Sequence, residues 1–139
     1  MLPDFSGTDR GNGIFEAVVF LGGAKQLRVV LWKVDVIADM ISLKKRFCAH
    51  RGVSALMPEN TLPAFAAAIS LGTDEIEFDV RLTKDEQMIV SHDGTLEQIL
   101  NGVGYLQDLT LLELKRINVG QKCGWNVPFC TPEEVFDRF

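Results

Sequence analysis

The sequence predicts an α/β fold built on a parallel sheet. A short apolar strand at 47–49 is followed by a helical pattern at 62–69, an alternating strand at 75–80 and a further apolar strand at 87–91. Strand, helix and strand in this order are typical of a parallel sheet, because the helix carries the chain back to the start of the next strand. The 139 residues are one domain's worth of chain, and 47% of them are apolar, so intrinsic disorder is excluded.

The strand at 75–80 divides its side chains between two faces. Glu77 and Asp79 leave one face, because side chains two residues apart point the same way. The other face is apolar and suits a covering helix; it carries Ile76, Phe78 and Val80. This division fits a strand inside a parallel barrel. Two carboxylates in one cavity repel each other, and a divalent cation usually resolves this; oxygen ligands favour Mg²⁺ or Ca²⁺ over Zn²⁺.

The composition excludes several classes of function. With 19 acidic and 14 basic residues the net charge is −5. We therefore expect no nucleic-acid partner, because sequence-independent binding of nucleic acid needs a basic face. The three cysteines form no C-x-x-C pair, which argues against a structural zinc site and predicts a reducing, cytoplasmic location. The longest uncharged apolar run, 17–24, is far shorter than the roughly 20 residues of a membrane span. No basic segment precedes it, so a signal peptide is not expected.

Residues 1–46 are predicted to form an N-terminal extension to a second region at 47–139. Residues 1–13 indicate a loose terminus, and 14–21 form an apolar run that favours a strand. Between 25 and 45 apolar residues recur at helical spacing, which predicts an amphipathic helix. This stripe consists of Leu27, Val30, Leu31, Val34, Ile37, Ala38 and Ile41. A helix packed on its own domain is the simpler interpretation; mixed charges on the polar face argue against the alternative, a helix lying on a membrane.

Capping residues predict where the later helices begin. Asn60 directly precedes the helical pattern, so we expect its side chain to cap that helix, which would end at Gly72. Thr110 and Glu113 form a capping box that opens a second helix. Another capping box, at 131–134, has a proline at the first helical position.

The connection between the last two strands is short. Only residues 81–86 separate them, too few for a crossover helix. At about 3.3 Å per residue this segment spans about 20 Å, one strand length. The two strands therefore either form a hairpin or are joined by an extended return outside the sheet. In a hairpin we expect His50 and His92 to lie at opposite ends of the sheet.

Both histidines of the chain stand at the end of a predicted strand, directly before a turn. His50 is followed by Arg51 and Gly52, and His92 is followed by an Asp-Gly pair. Most histidines at strand ends have only a structural role. In a parallel barrel, however, strand ends of like polarity meet at one rim, where barrel active sites lie. Two imidazoles, an arginine and two carboxylates then supply an acid, a base, an anion clamp and a cation site, which suits phosphoryl transfer.

Taken in order, these residues resemble the glycerophosphodiester phosphodiesterase family. The matching motifs are His-Arg-Gly at 50–52, Pro-Glu-Asn-Thr at 58–61, Gly-Thr-Asp-Glu-Ile-Glu-Phe-Asp-Val at 72–80, Leu-Thr-Lys-Asp at 82–85 and His-Asp at 92–93. The resemblance runs from about Phe47 to Phe139. It implies a partial (β/α)8 TIM barrel with the N-terminal strands only, preceded by the extension with its amphipathic helix.

The resemblance also implies an activity and a site. Members hydrolyse glycerophosphodiesters to glycerol 3-phosphate and an alcohol, by a mechanism similar to that of phosphatidylinositol-specific phospholipase C. A substrate hydroxyl attacks phosphorus, and water then opens a cyclic phosphate. The matching residues are His50 and His92 as base and acid in an open order, Arg51 as catalytic and phosphate-binding residue, Glu59 as substrate-binding residue, and Glu77 and Asp79 as ligands of Mg²⁺ or Ca²⁺.

The length of the matching segment leaves an alternative open. A whole barrel takes about 250 residues, whereas the match covers 47–139, without a further metal carboxylate expected on a later strand. The alternative is a catalytically incomplete half-barrel of the same lineage that acts as an interaction module. Three parallel strands would leave two open edges, and open edges pair with other chains, so self-association is an expectation.

Overall fold

The computed structural model of the chain describes residues 14–22, 26–34, 46–100 and 104–139; for the first two ranges the description concerns the backbone. The elements are β1 (Ile14–Gly22), β2 (Gln26–Val34), β3 (Cys48–His50), α1 (Leu62–Ser70), β4 (Glu75–Leu82), β5 (Met88–Val90), α2 (Glu97–Leu100), α3 (Leu111–Leu114) and α4 (Pro132–Arg138). Short 3-10 turns lie at Leu106–Asp108 and Gln121–Cys123. Within these ranges no helix is long and apolar enough to cross a membrane.

All five strands form one sheet, in which β4 is the central member. The strand order is β1-β2-β4-β3, and β5 also pairs with β4. β3 and β4 are parallel, as the sequence predicts, with His50 opposite Glu77. β2 runs antiparallel along β4 from Gln26 opposite Arg81 to Trp32 opposite Glu75. The N-terminal extension and the second region, which the sequence analysis separates at residue 46, therefore share a sheet.

The helix predicted at 25–45 is wrong over 26–34, which form strand β2; residues 35–45 lie outside the described residues. The segment contains Val29, Val30, Trp32 and Val34. β-Branched and aromatic side chains favour strands over helices. Pairing with β1 on one edge and with β4 on the other satisfies the backbone of β2. The neighbouring run at 14–21 was expected to be a strand, and β1 confirms this.

The apolar face of β4 is covered by α1, as its sequence pattern predicts. The rings of Phe65 on α1 and Phe78 on β4 are 5.5 Å apart, and both side chains are fully buried. The buried residues of this cluster are Ala49, Phe65, Ala68, Ile76, Phe78, Val80, Val90, Cys130 and Val135. A second cluster, on the other side of β5, consists of Ile89, Leu96, Leu106, Leu114 and Phe129. β5 thus contributes to both parts of the core.

The start of α1 differs from the prediction by one residue. Thr61, not Asn60, is the N-cap: its hydroxyl accepts the Ala64 N–H and donates to the Pro58 carbonyl at 2.6 Å. Asn60 has a φ of 56°, a left-handed conformation that asparagine tolerates better than most residues. The predicted end is confirmed, since Gly72 has a φ of 76° directly after the C-cap residue.

The two capping boxes form as predicted. The hydroxyl of Thr110 accepts the Glu113 N–H, and the Glu113 carboxylate accepts the Thr110 N–H in return. Thr131 and Glu134 do the same at the start of α4, with a proline in the first turn. Both motifs are local, so the sequence alone determines them.

The connection between β4 and β5 is a hairpin. Thr83 donates its backbone N–H to the Gln87 carbonyl at 2.9 Å, and its hydroxyl donates to Asp85 at 2.6 Å. Antiparallel pairing continues to Val80 opposite Val90. Of the two connections that the sequence leaves open, the chain uses the tighter one.

Candidate active site

One edge of β4 brings the segments that carry the two histidines together. The Arg51 N–H donates to the Glu77 carbonyl at 2.8 Å, and the Ser91 N–H donates to the Asp79 carbonyl at 2.9 Å. Carbonyls two residues apart on a strand face the same edge. β3 and β5 therefore share this edge and approach each other from opposite directions, and their contact points are about 7 Å apart along β4.

The expectation that a hairpin places His50 and His92 at opposite ends of the sheet is wrong. β5 contains only three residues and pairs with β4 no further than Val80. The chain then reaches the level of Asp79 at Ser91, directly before His92. The shortness of β5 therefore leaves the second histidine beside the middle of β4, near the end of β3.

Glu77 and Asp79 are the buried acidic groups of this region. Their side chains are 1% and 7% exposed. Oε2 of Glu77 lies 3.7 Å from Nε2 of His50 and accepts the Arg51 N–H at 3.3 Å. Oδ2 of Asp79 lies 3.6 Å from Nε of Arg51. Arg51 thus accompanies both carboxylates, with its guanidinium beside Asp79 and its backbone N–H on Glu77, and buried charges require such partners.

Arg51 lies at the base of a loop that closes on itself at Asn60. Nη1 of Arg51 is 3.0 Å from Oε1 of Glu59, and the Asn60 N–H donates to the Arg51 carbonyl at 3.0 Å. The turn has left-handed backbone at Arg51 and Gly52, with φ of 58° and 79°. A Cβ on Gly52 would lie 2.8 Å from Ala64, so the turn packs directly on α1. Helix α1 therefore supports the turn that carries Arg51.

The amide of Asn60, which the sequence predicts as the cap of α1, is instead a buried polar group. The residue is 5% exposed, and neither Nδ2 nor Oδ1 has a hydrogen-bond partner among the described residues. Buried polar groups of this kind are rare and usually meet a ligand or an ordered water. The backbone N–H of Asn60 donates to the Arg51 carbonyl, so this residue lies beside the turn that carries Arg51.

The imidazole of His92 is oriented by its own neighbours. Nδ1 of His92 lies 2.8 Å from Oδ1 of Asp93, and the His92 carbonyl accepts from Nε of Arg81 at 2.8 Å and also from Nη2. The side chain is 38% exposed and that of His50 is 58% exposed, so solutes can reach both rings. Arg81 was not among the site residues predicted from the sequence. Its position two residues after Asp79, on the face of the acidic pair, was the signal that could have identified it.

The donor set fits a hard divalent cation in part. Carboxylate oxygens are the ligands that Mg²⁺ and Ca²⁺ prefer, and Glu77 and Asp79 supply two carboxylates. No cluster of three or more His, Cys, Asp or Glu side chains suited to a metal occurs within the described ranges. These two residues could therefore hold a cation whose remaining ligands are waters or substrate oxygens.

Chemically, the site combines groups that move protons with groups that bind an anion. Two accessible imidazoles can donate and accept protons, and Arg51 presents a guanidinium, which matches phosphate oxygens.

Comparison with known proteins identifies relatives of the chain. The profile of the Glycerophosphoryl diester phosphodiesterase family matches residues 50–139. A glycerophosphodiester phosphodiesterase of Caldanaerobacter subterraneus is 48% identical over 82 residues, which cover 59% of this chain and 34% of that protein. A glycerophosphodiester phosphodiesterase of Bacillus subtilis is 38% identical over 104 residues, covering 66% and 35%. The chain thus spans about a third of the length of the curated relatives it matches.

Solved structures of glycerophosphodiester phosphodiesterases and related phosphodiesterases are also similar to part of this chain. The glycerophosphodiester phosphodiesterase of Thermotoga maritima matches 70% of this chain and 41% of its own, with a TM-score of 0.58 and 36% identity. An Oleispira antarctica phosphodiesterase, solved with the product sn-glycerol-3-phosphate, matches 68% of this chain and 40% of its own, with a TM-score of 0.57 and 31% identity. The predicted partial α/β barrel is confirmed by these likenesses.

Proposed function

The chain belongs to the glycerophosphoryl diester phosphodiesterase family, and we propose that it carries the His50, Arg51 and His92 groups of an enzyme that hydrolyses glycerophosphodiesters to glycerol 3-phosphate and an alcohol. One observation supports this above the others. Arg51 contacts Glu59, Asp79 and the backbone of Glu77, beside His50. A guanidinium fixed next to an accessible imidazole is what in-line displacement at a phosphodiester needs.

In the proposed reaction Arg51 binds the phosphate and the two histidines move protons. His50 takes the proton of a substrate hydroxyl that attacks phosphorus. His92 gives a proton to the leaving alcohol. It then takes a proton from the water that opens the cyclic phosphate, while His50 returns its proton to the departing hydroxyl oxygen. The contact of Nδ1 with Asp93 supports His92 as the acid, because it holds the ring through one nitrogen and leaves the other nitrogen to exchange a proton with the substrate. Glu59 orients Arg51 and contributes to substrate binding.

A divalent cation belongs to the proposal as well. The family is generally dependent on a divalent metal. In this chain Glu77 and Asp79 would hold Mg²⁺ or Ca²⁺, and when bound it would neutralise charge on phosphoryl oxygens. The buried Glu77 carboxylate and the hard oxygen donors of the pair support this assignment.

The test is release of glycerol 3-phosphate from glycerophosphocholine by the chain, with and without EDTA and with Mg²⁺ or Ca²⁺ restored. Loss of activity in EDTA is expected. His50→Gln and His92→Gln should each lower kcat by about 10² or more, and the double variant should lose much less than the product of the two. Glu86→Gln, an exposed residue of the β4–β5 turn, is the control.

Two results would contradict the proposal in different ways. Hydrolysis that survives EDTA and both histidine substitutions would overturn the catalytic assignment. Calorimetric binding of sn-glycerol 3-phosphate without hydrolysis would instead support the non-catalytic interaction module. Binding lost in Arg51→Gln would still place the anion at Arg51.

A further inference from the structure

The guanidinium of Arg81 is bound to the backbone of the second histidine. Its Nε lies 2.8 Å from the His92 carbonyl oxygen, and Nη2 donates to the same atom. Its Nη1 lies 3.2 Å from the place that a Cβ on Gly94 would take. The planar head of Arg81 therefore covers the turn from His92 to Gly94, and glycine at 94 leaves room for it.

The segment around His92 needs such a support, because the sheet does not continue through it. The ladder between β4 and β5 ends at Val90, and the Ser91 N–H makes the last backbone bond to β4. Beyond that point the Ser91 hydroxyl donates to the Asp93 carbonyl at 3.0 Å, within the turn itself. The Gly94 carbonyl accepts the Leu106 N–H at 2.9 Å, on the far side of the turn. Among the described residues, the Arg81 side chain is the group of β4 that bonds to the His92 carbonyl.

Arginine suits this task better than lysine. Its guanidinium presents N–H groups in a fixed plane, so two of them can meet one carbonyl oxygen while the third nitrogen covers Gly94. A hydrogen bond from a charged donor is also roughly twice as strong as one between neutral groups. Lysine would keep the positive charge, but it lacks the planar group that presents several N–H donors in fixed directions.

We propose that Arg81 is a positioning residue for His92: it fixes the peptide of that histidine relative to Asp79 and so sets where the imidazole meets a substrate. The catalytic part of this statement rests on the proposed function. The structural part does not, and it is tested separately.

The first experiment uses NMR and needs no activity. The chain has two histidines, so ¹³C labelling of histidine gives one ring signal from His50 and one from His92. Arg81→Gln should shift the His92 signal and leave the His50 signal in place, and Arg81→Lys should shift it less. Arg116→Gln, which removes an exposed arginine outside the site, should move neither. Equal shifts of both rings, or none, would overturn the proposal.

A measurement on the unsubstituted chain covers the case in which Arg81→Gln does not fold. The Arg81 Nε–H should exchange with solvent at least about tenfold more slowly than that of exposed Arg116, because it is hydrogen-bonded to a carbonyl. Equal exchange rates would overturn the proposal without any variant.

The second experiment measures the catalytic consequence on glycerophosphocholine. Arg81→Gln should lower kcat by about 10- to 100-fold, since a misplacement near 1 Å costs up to about 10², while KM changes less than twofold. Arg81→Lys should restore part of kcat. A raised KM with unchanged kcat would overturn the positioning role. If the unsubstituted chain shows no hydrolysis, the proposed function fails and the NMR result still decides the structural part.

Discussion

Arg51 and Glu59 form an ion pair across the loop that follows β3, with Nη1 of Arg51 3.0 Å from Oε1 and 3.2 Å from Oε2 of Glu59. The arginine side chain is 19% exposed and the glutamate side chain 46% exposed. The pair joins the His-Arg-Gly turn to the Pro-Glu-Asn-Thr turn, two motifs that the sequence shows only as neighbours along the chain. The first prediction follows from this contact.

A double-mutant cycle of Arg51→Gln and Glu59→Gln should give a favourable coupling of about 0.5 to 1 kcal/mol in urea unfolding, the upper part of the range for partly exposed pairs. Arg51→Gln alone should cost more, because it also leaves Asp79 without its guanidinium neighbour. Pairing Arg51→Gln with Glu86→Gln in a control cycle should give no coupling. A coupling of zero for Glu59 would mean that solvent replaces this ion pair at no cost.

Glu77→Gln combined with Asp79→Asn should abolish binding of Mg²⁺ and Ca²⁺, measured by isothermal titration calorimetry. Binding by the unsubstituted chain should itself be weak, because two carboxylates are a partial ligand shell. Glu133→Gln, at an exposed position of α4, should leave the binding heat unchanged. Unchanged heat in the double variant would exclude this pair as the cation site.

Thr61→Ala should lower the free energy of unfolding by about 1 kcal/mol, because it removes the N-cap of α1. Thr61→Ser keeps the hydroxyl and should recover most of this loss. Urea unfolding followed by circular dichroism at 222 nm measures both. If Thr61→Ser is as unstable as Thr61→Ala, the methyl group rather than the cap accounts for the effect.

Cys130 should resist thiol reagents in the folded protein. Burial raises the pKa of its thiol to about 12, so the reactive thiolate is scarce at neutral pH. Cys48 and Cys123 are exposed and should react quickly with a chromogenic disulfide. A variant with Cys48→Ser and Cys123→Ser should then react only after denaturation. Rapid modification of that variant under native conditions would contradict the buried position of Cys130.

Because of the capping box of α4, the free energy of unfolding should depend on pH in the acidic range. Burial raises the pKa of Glu134, but hydrogen bonds from Lys115 and from the Thr131 N–H outweigh it and hold that pKa below its ordinary value of 4.5. The stabilisation is therefore present above pH 4.5 and is lost as the pH falls through the lowered folded value. Glu134→Gln should be less stable than the unsubstituted chain at pH 7, and the difference should shrink as the pH falls below 4.5.

Asp137→Asn, at an exposed position of the same helix, is the matched control for this pH dependence. It should show no comparable loss at pH 7. A stability difference for Glu134→Gln that stays constant between pH 7 and pH 3 would show that lost packing, rather than lost charge, causes it.

Local signals account for what the sequence predicts correctly. The alternation at 75–80 predicts a strand because one of its faces must be buried, and β4 extends it only to Leu82. The capping boxes at Thr110 and Thr131 need no partner beyond one helical turn. The sequence predicts Asn60 as the cap, one residue early, and Asn60 and Thr61 are both residue types that favour that position.

Non-local contacts explain what the sequence does not predict. Val30 and Val34 of β2 stand at helical spacing. The strand state of β2 nevertheless depends on pairing with β4, whose Arg81 lies 55 positions after its partner Gln26. The meeting of the two histidine segments depends on how soon β5 ends, which no local pattern encodes. The contact of Arg81 with the His92 carbonyl likewise exists only once the hairpin has closed.

The long-range pairing of β2 with β4 also has a consequence for synthesis on the ribosome. β1 and β2 are adjacent in the chain, so their hairpin can close early, whereas β2 must wait for Arg81 to be made. From the end of β2 at Val34 to Arg81, at typical rates of 5–20 residues per second, the wait is about 2 to 9 s. During that time the inner edge of β2 is an unpaired strand edge, open to a neighbouring nascent chain. Slow translation between residues 34 and 81 should therefore increase aggregation of this protein, and faster translation of the same stretch should raise its soluble yield.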